Sequence, residues 1–243
     1  MASGGSQWQR LSSWLAVHPL PHTPEHPCPY LPGRLARERA FVAESLEPDT
    51  YHELMDRGFR RNGSMFYAAD CTACRRCVPI RVPVAEFTPS RSQRRVLRKN
   101  HDMVTHFGES QWSPKKWERY RRYLQAQHGR IDDDESPESL RQSLYARVVD
   151  TVEVTYWIGE RTVATSLLDV CSRSVSAVYH FFDPDFADRS PGVYSVLAEI
   201  EWARRTGVPH YYLGYWIEGA PTMEYKANYR PHELLIDGVW QRR

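Results

Sequence analysis

Three of the five cysteines lie within seven residues of one another. Cys71, Cys74 and Cys77 form two overlapping C-x-x-C steps, and Cys28, further upstream, could fold back as a fourth thiol. Thiolates at this spacing suit a tetrahedral Zn²⁺ ion or an iron–sulfur cluster, because both need several soft ligands that converge from a tight loop. The spacing therefore predicts metal ligands at these four positions. The alternative is a set of reduced thiols that line a turn and bind nothing.

Two arginines separate the last two of these cysteines. Arg75 and Arg76 are expected to lower the thiol pKa and so to favour the thiolate. The odd number of cysteines, in a chain whose start shows no secretory signal, argues against a disulfide framework. The spacing leaves open whether zinc or an iron cluster is bound.

A basic run follows the cysteines. The net charge of the chain is only +2, but residues 75–99 hold eight arginines and lysines against one acid, Glu86. Guanidinium groups bind phosphates in bidentate fashion, and several along one strip can follow an RNA backbone. We predict that Arg91, Arg94 and Arg95 bind RNA phosphates. The alternative is a well-solvated charged helix.

A short polar segment precedes the clearest helical pattern of the chain, at residues 191–205. Ser190 can cap this helix, and Pro191 suits its first position. The free N–H groups and the dipole of a helix N-terminus attract an anion. We predict that Arg189, Ser190 and Gly192 contact a phosphate. The alternative is an ordinary capped helix.

Aromatic and basic residues occur side by side near the end of the chain. Lys226 and Arg230 lie next to Tyr225 and Tyr229, and they could line a cleft that takes the acceptor end of a nucleic acid. The sequence contains no Ser-His-Asp order, no Walker loop and no dinucleotide-binding fingerprint.

Hydrophobic periodicity predicts the elements that must position these residues. Helices are predicted over residues 47–58, 114–127, 136–145 and 191–205, and strands over 151–158, 162–170, 176–182, 211–217 and 233–240. Residues 80–87 predict a further strand, which Pro83 would place at a sheet edge. Three strands, a helix and two more strands predict a mixed α/β sheet of the N-acetyltransferase (GNAT) kind.

The pattern divides the chain into three parts. We predict a flexible arm at 1–27, a cysteine-bearing α+β domain at 28–103 and a GNAT-like domain at 104–243. The acidic stretch 132–138 is predicted to be a solvated linker. No apolar run is long enough to cross a bilayer and no secretory signal opens the chain, so we expect a cytoplasmic protein without a membrane partner.

Eight segments between about Cys28 and Trp240 resemble one family in content and order. They are CPYLPGR (28–34), GFRRNG (58–63), CTACRRC (71–77), FTPSRSQRR (87–95), YHFFDPD (179–185), RSPG (189–192), YLGYWI (212–217) and MEYK with the following RP (223–231). Together they resemble the arginyl/leucyl-tRNA–protein transferase family, and its bacterial leucine-transferring branch in particular.

The resemblance implies an activity and two substrates. Leucine would pass from leucyl-tRNA to the N-terminal Asp or Glu of an acceptor protein, which marks that protein for degradation. The resemblance also implies an N-terminal cysteine-bearing domain and a GNAT-like C-terminal domain. No cofactor is required for the chemistry itself.

The implied reaction needs an oriented amine and donors for a tetrahedral oxyanion. Asp183 is the candidate that orients the amine, because the family pattern places it at the end of a central strand. Tyr212 or Tyr215 would donate to the oxyanion. Lys226 is assigned to the catalytic group and is also expected to hold tRNA phosphates.

The two substrates need cations of their own. Arg230 is expected to contribute to tRNA binding together with the arginine run. The acidic side chain at the acceptor N-terminus is expected to meet Arg60 or Arg61, near the cysteines.

Three alternatives remain open. The family often has a cysteine and basic residues where this chain has Gly219-Ala220-Pro221-Thr222, so arginine is the alternative donor. A GNAT enzyme that acetylates an amine with acetyl-CoA would explain the helix terminus but not the cysteines. A zinc-knuckle RNA-binding protein would explain the cysteines and arginines but not the α/β half.

Overall fold

A computed structural model describes residues 6–129 and 135–243. The helices are α1 (Gln7–Val17), α2 (Pro48–Met55), α3 (Arg91–Lys99), α4 (Pro114–His128), α5 (Pro137–Leu144), α6 (Pro191–Arg205) and α7 (Pro221–Glu224). The strands are β1 (His26–Pro27), β2 (Leu35–Ala36), β3 (Glu38–Val42), β4 (Arg60–Asn62), β5 (Met65–Ala69), β6 (Val78–Pro83), β7 (Val104–Glu109), β8 (Thr151–Ile158), β9 (Arg161–Val170), β10 (Ser174–Phe182), β11 (His210–Trp216), β12 (Glu233–Ile236) and β13 (Val239–Arg242). The acidic stretch predicted as a linker lies partly outside the described residues.

The large sheet has eight strands in the order β13-β12-β6-β11-β10-β9-β8-β7. Strands β7 to β10 form an antiparallel meander, the chain then crosses through α6, and β11 returns parallel to β10. This order confirms the predicted mixed α/β class and its GNAT-like arrangement. Where one strand was predicted over 233–240, the chain forms the β12–β13 hairpin, because Asp237 and Gly238 adopt positive φ angles of 51° and 76°.

Strand β6 is an internal strand, so the prediction of an edge strand is wrong. It pairs with β11 along its whole length and with β12 through Ile80 and Arg81. Pro83 is tolerated because it is the last residue of the strand, opposite His210. A segment of the predicted N-terminal domain therefore forms part of the sheet of the C-terminal half.

Pairing between the two parallel strands is short. Ser174–Ser176 of β10 pair with His210–Tyr212 of β11, and no further pairs follow. Immediately beyond, β10 is irregular between Ala177 and Tyr179, and β11 is irregular opposite β6 between Tyr212 and Gly214. The C-terminal halves of β10 and β11 therefore leave a split in the sheet.

Helices cover both faces of the large sheet. The helix predicted over 114–127 is confirmed as α4, and its Tyr120 and Leu124 are buried against α5 and against Leu167 and Phe181 of the sheet. Helix α6 buries Ile200 against the other face, and α3 packs on α6. None of the helices in the described ranges is long and apolar enough to cross a membrane.

A three-stranded sheet, β3-β5-β4, packs with α2 beside the large one. Within the segment predicted as a flexible arm, α1 begins with a capping box between Ser6 and Gln9 and packs on α2. Arg57 lies 4.4 Å from the ring centre of Trp8 in α1. The small sheet brings Arg60 to β10 and Arg61 to β9 of the large one.

Candidate active site

The four predicted metal ligands lie around one small cavity. The turn between β1 and β2 carries Cys28, and the loop between β5 and β6 carries Cys71, Cys74 and Cys77. All four are free thiols that line one cavity of about 40 Å³. Among the described residues, however, no three His, Cys, Asp or Glu side chains are grouped closely enough to hold a metal ion. The donor set suits zinc or an iron–sulfur cluster, and the metal site stays a prediction.

The expected lowering of thiol pKa by the arginines is wrong for Cys77. Burial raises the pKa of the Cys77 thiol to about 12, and the neighbouring thiols Cys71 and Cys28 add to the shift. Arg75 instead donates to the backbone carbonyls of residues 71 and 74, and Arg76 donates to the carbonyl oxygen of Glu218. The two guanidinium groups are thus bound to the backbone.

Two cationic side chains meet in the split between β10 and β11. Arg60 donates from Nη1 to Ser176 Oγ (2.8 Å) and from Nη2 to the Ala177 carbonyl oxygen (2.6 Å). Lys226 donates from Nζ to the Tyr215 carbonyl oxygen (3.0 Å). A methyl group at Gly214 would lie 3.4 Å from Lys226 Nζ and 3.7 Å from Arg60 Nη2. A glycine, with a φ of 93°, therefore lets both cations approach the strand.

Both of these cationic side chains are buried. Arg60 is 9% exposed and Lys226 is 8% exposed, and within residues 6–129 and 135–243 no carboxylate forms an ion pair with either. Burial, and secondarily the charge of Arg60, lowers the pKa of Lys226 to about 7. An unpaired buried charge is costly, so the pair favours an anionic ligand, and Lys226 can exchange a proton near neutral pH.

Arg61 serves a different purpose from Arg60. Its Nε and Nη2 atoms lie 2.7 and 2.6 Å from the two carboxylate oxygens of Asp169, and both side chains are almost completely buried. This bidentate pair joins the small sheet to β9. Of the two arginines predicted to bind the acceptor, the geometry therefore favours Arg60.

The two predicted oxyanion donors have partners within the fold. The Tyr215 hydroxyl donates to the Gly58 carbonyl oxygen (2.8 Å) and accepts from the Ala69 N–H (3.3 Å). The Tyr212 hydroxyl donates to Asp56 and accepts from Arg81 Nη1 (3.0 Å). Both hydroxyls tie β11 to neighbouring segments, and their role as oxyanion donors stays a prediction.

Asp183 lies at the end of β10, as predicted, and is firmly held. Its carboxylate accepts from Arg122 Nη1 at 2.9 Å, from Arg161 Nη2 at 3.1 Å and from the Asp185 N–H at 3.1 Å. Sequence reasoning missed both arginines. Arg122 lies on the polar face of α4 and Arg161 at the start of β9, and neither position carries a local signal of a distant carboxylate partner.

The N-terminus of α6 differs from the predicted capped helix. Ser190 adopts a positive φ of 53°, and its side chain makes no capping hydrogen bond. Its carbonyl oxygen instead accepts from the N–H groups of Val193 and Tyr194. Arg189 forms an ion pair with Asp102 at 2.6 Å, while Gly192 faces the ring of His180, so a methyl group there would lie 3.8 Å from it.

Helix α3 runs along the segments that flank the split. Gln93 Nε2 donates to the Asn228 carbonyl oxygen (3.2 Å), two residues beyond Lys226. At the other end of the helix, Asn100 Nδ2 donates to the Arg189 carbonyl oxygen (2.8 Å), just before α6. Helix α3, which carries the arginine run, is therefore hydrogen-bonded to both of the segments that flank the split.

The exposed face of α3 is strongly cationic. In the described part of the chain, Arg91, Arg95 and Arg98 are exposed and form no ion pair, while Arg94 donates to the Pro89 carbonyl oxygen. Arg230, at the end of the same aromatic tail as Lys226, is exposed as well. This surface suits a polyanion.

Comparison with known proteins decides the family. Residues 26–95 match the model of the N terminus of arginine-tRNA-protein transferase, and residues 115–236 match the model of its C terminus. This chain belongs to the arginine-tRNA-protein transferase family. The resemblance seen in the sequence is thereby confirmed, and with it the class of enzyme, an aminoacyl-tRNA–protein transferase.

Individual relatives cover almost the whole chain. Aspartate/glutamate leucyltransferase of Thiobacillus denitrificans is 40% identical over 222 residues, which are 90% of this chain and 92% of that protein. The enzyme of the same name from Hahella chejuensis is 36% identical over 223 residues, 90% of this chain and 94% of that protein. Among solved structures, L-PGS from Bacillus licheniformis matches with 14% identity and a TM-score of 0.42 over 73% of this chain and 52% of that one.

Proposed function

We propose that this enzyme transfers leucine from leucyl-tRNA to the N-terminal Asp or Glu of acceptor proteins in the cytoplasm. Relatives that carry the name aspartate/glutamate leucyltransferase support this assignment. The observation that carries it is the buried pair Arg60 and Lys226, which lacks a carboxylate partner among the described residues. A side-chain carboxylate of the acceptor would supply the missing charge.

Arg60 is the group that we assign to the acceptor carboxylate. Its guanidinium is already oriented by Ser176 and by the carbonyl oxygen of Ala177, so binding would cost little side-chain entropy. Planar guanidinium groups bind carboxylates in a defined geometry. An uncharged Asn or Gln side chain would leave the buried cation unpaired, which gives the site a means of selection.

Lys226 is the group that we assign to the proton of the attacking amine. An α-ammonium must lose one proton before its nitrogen attacks the ester carbonyl of leucyl-tRNA. As the new C–N bond forms, the ester C–O bond breaks, and a second proton passes from the nitrogen to the ribose oxygen that leaves. Because its pKa is about 7, Lys226 can accept the first proton at neutral pH.

The tRNA would be bound along α3. The arginines of α3 lie beside the two segments that flank the split. Phosphates bound to these arginines would therefore place the aminoacylated end of the tRNA near Arg60 and Lys226. Arg230 would extend this surface. Asp183, held by Arg122 and Arg161, would act as a positioning residue at the end of β10.

The cysteines would hold zinc or an iron–sulfur cluster. Cys28, Cys71, Cys74 and Cys77 line one cavity, and a bound cation would offset the mutual repulsion of their thiolates. Bound metal would supply structural stability to the loop beside Lys226. The residues of the split would carry the transfer itself.

A transfer assay with paired substrates tests the proposal. Leucyl-tRNA and arginyl-tRNA are each offered to peptides that begin with Asp, Glu, Lys or Arg, and products are read by mass spectrometry. We expect leucine on the Asp and Glu peptides. Transfer of arginine alone, or of no amino acid to any peptide, would contradict the proposal.

A further inference from the structure

A groove of about 610 Å³ runs along α6, between α3 and the start of β7. Its lining residues include none of the cysteines and neither cation of the split. A volume of this size falls within the range of roughly 300–1,000 Å³ that is typical of small-molecule sites. The groove is therefore a second concave site, next to the arginine run.

The walls of the groove are mainly apolar and aromatic. Phe107 of β7 and Trp202 of α6 stack with ring centroids 4.8 Å apart and planes 10° from parallel. Leu97 closes the groove from the side of α3, and the small side chain of Ala198 leaves room above α6. Flat apolar walls of this kind accept a planar ring.

The rim of the groove is cationic. Arg204 and Arg205 lie at its α6 end, and both bind Glu201, the acidic residue of the lining, at 2.8 and 2.9 Å. Arg94 of α3 donates to the carbonyl oxygen of Pro89, which is itself a lining residue. Two arginines and one glutamate leave the lining with a net positive charge, and the exposed arginines of α3 add further positive charge beside the groove.

We propose that this groove receives an unpaired nucleotide of the bound tRNA. The base would lie against the aromatic walls, and the flanking phosphates would bind the arginines of α3. Proteins recognise single-stranded RNA by this combination of stacking surfaces and cationic tracks. The proposal rests on the proposed function, because that function requires an RNA substrate. The cationic rim of the groove favours RNA over an extended acceptor peptide as its occupant.

Filling the groove tests the proposal. Ala198→Trp would occupy the space above α6, whereas Ala126→Trp adds the same side chain at an exposed position of α4 and serves as the matched control. Binding of uncharged tRNA and the KM for an Asp-initiated peptide are measured on the full-length chain. We expect Ala198→Trp to raise the Kd for tRNA at least about fivefold, as loss of one stacked base would, with the acceptor KM unchanged.

Two results would overturn the proposal. One is an unchanged Kd for tRNA, and the other is a raised KM for the acceptor peptide with normal tRNA binding, which would assign the groove to the peptide. Because tRNA binding is read without transfer, failure of the wild type to transfer leucine would reject the proposed function separately.

The unmodified protein gives an independent test if Ala198→Trp fails to fold. Wild-type protein is irradiated with tRNA that carries 4-thiouridine at unpaired positions, and cross-linked peptides are sequenced. We expect cross-links within residues 194–205. Cross-links confined to other parts of the chain would contradict the proposal.

Discussion

Lys226 shows how burial can turn an ordinary lysine into a proton acceptor. The side chain is 8% exposed and lies beside Arg60, so its charged form is disfavoured and its pKa falls to about 7. Cys77 is close enough to oppose this shift if it is ionised. An ionised Cys77 would therefore raise the pKa of Lys226.

The rate of transfer should depend on the protonation of Lys226. We expect kcat/KM to rise as pH increases through about 7 and then to level off, because the neutral amine is the form that accepts a proton. Lys226→Met should lower kcat by about 100-fold or more, within the range for loss of a general base, and should remove this rise. A pH–rate profile measured with saturating leucyl-tRNA checks the prediction, and an unchanged profile in the variant would contradict it.

Stability should depend on pH through the same residue. Between about pH 7 and 10.5 the unfolded lysine binds a proton that the folded one does not, so the free energy of unfolding should increase with pH across this window. Urea unfolding at several pH values should show that increase in the wild type. Lys226→Met should show a weaker increase, and equal slopes in the two proteins would be evidence against the assigned pKa.

At the scale of elements, the ion pair between β4 and β9 joins the two sheets. Removing one partner leaves the other charge buried and unpaired, so Asp169→Ala should lower the free energy of unfolding by about 3–5 kcal/mol. The double variant Arg61→Met with Asp169→Leu should lose much less. Chemical denaturation checks both, and a loss in the double variant as large as in the single one would refute this account.

Helix α3 gives a second prediction at this scale. Replacing Arg91, Arg95 and Arg98 by Gln should weaken tRNA binding and should reduce the slope of log K against log salt by ~0.7–0.9 for each phosphate that is no longer bound. Lys115→Gln with Arg121→Gln, at exposed positions of α4, provides the control. Equal salt slopes in wild type and triple variant would show that α3 does not hold phosphates.

Hydrophobic periodicity predicted the helices and strands well where residues close in sequence determine the structure. The alternation of residues 151–158 and the helical spacing of residues 191–205 each involve side chains a few residues apart, and β8 and α6 confirm the two predicted elements. The position of β6 was wrong because its partners, β11 and β12, come from the far end of the chain. The hydrogen bonds of Tyr212 and Tyr215 were missed for the same reason, since they reach residues 56 and 58.

In the whole molecule, both matched family regions contribute residues to the split in the large sheet. The first contributes Arg60, the cysteines and the start of α3, and the second contributes β10, β11 and Lys226. The sequence predicted these residues individually. Arg60 and Lys226 approach each other beside Gly214 because Gly214 has a positive φ and because the parallel pairing of β10 with β11 ends at Ser176. Long-range packing determines both features.

We propose above all that Arg60, buried beside Lys226 in the sheet split, binds the acidic side chain of the acceptor. The most direct measurement compares kcat/KM for leucine transfer to two peptides that differ only in Asp or Asn at the N-terminus, in the wild type and in Arg60→Gln. Arg57→Gln, at an exposed arginine paired with Glu53, is the control. A charge-assisted hydrogen bond of ~1.5–3 kcal/mol predicts about 10- to 100-fold preference for Asp in the wild type and in the control. In Arg60→Gln that preference should fall to nearly one, and a preference that survives this substitution intact would contradict the account.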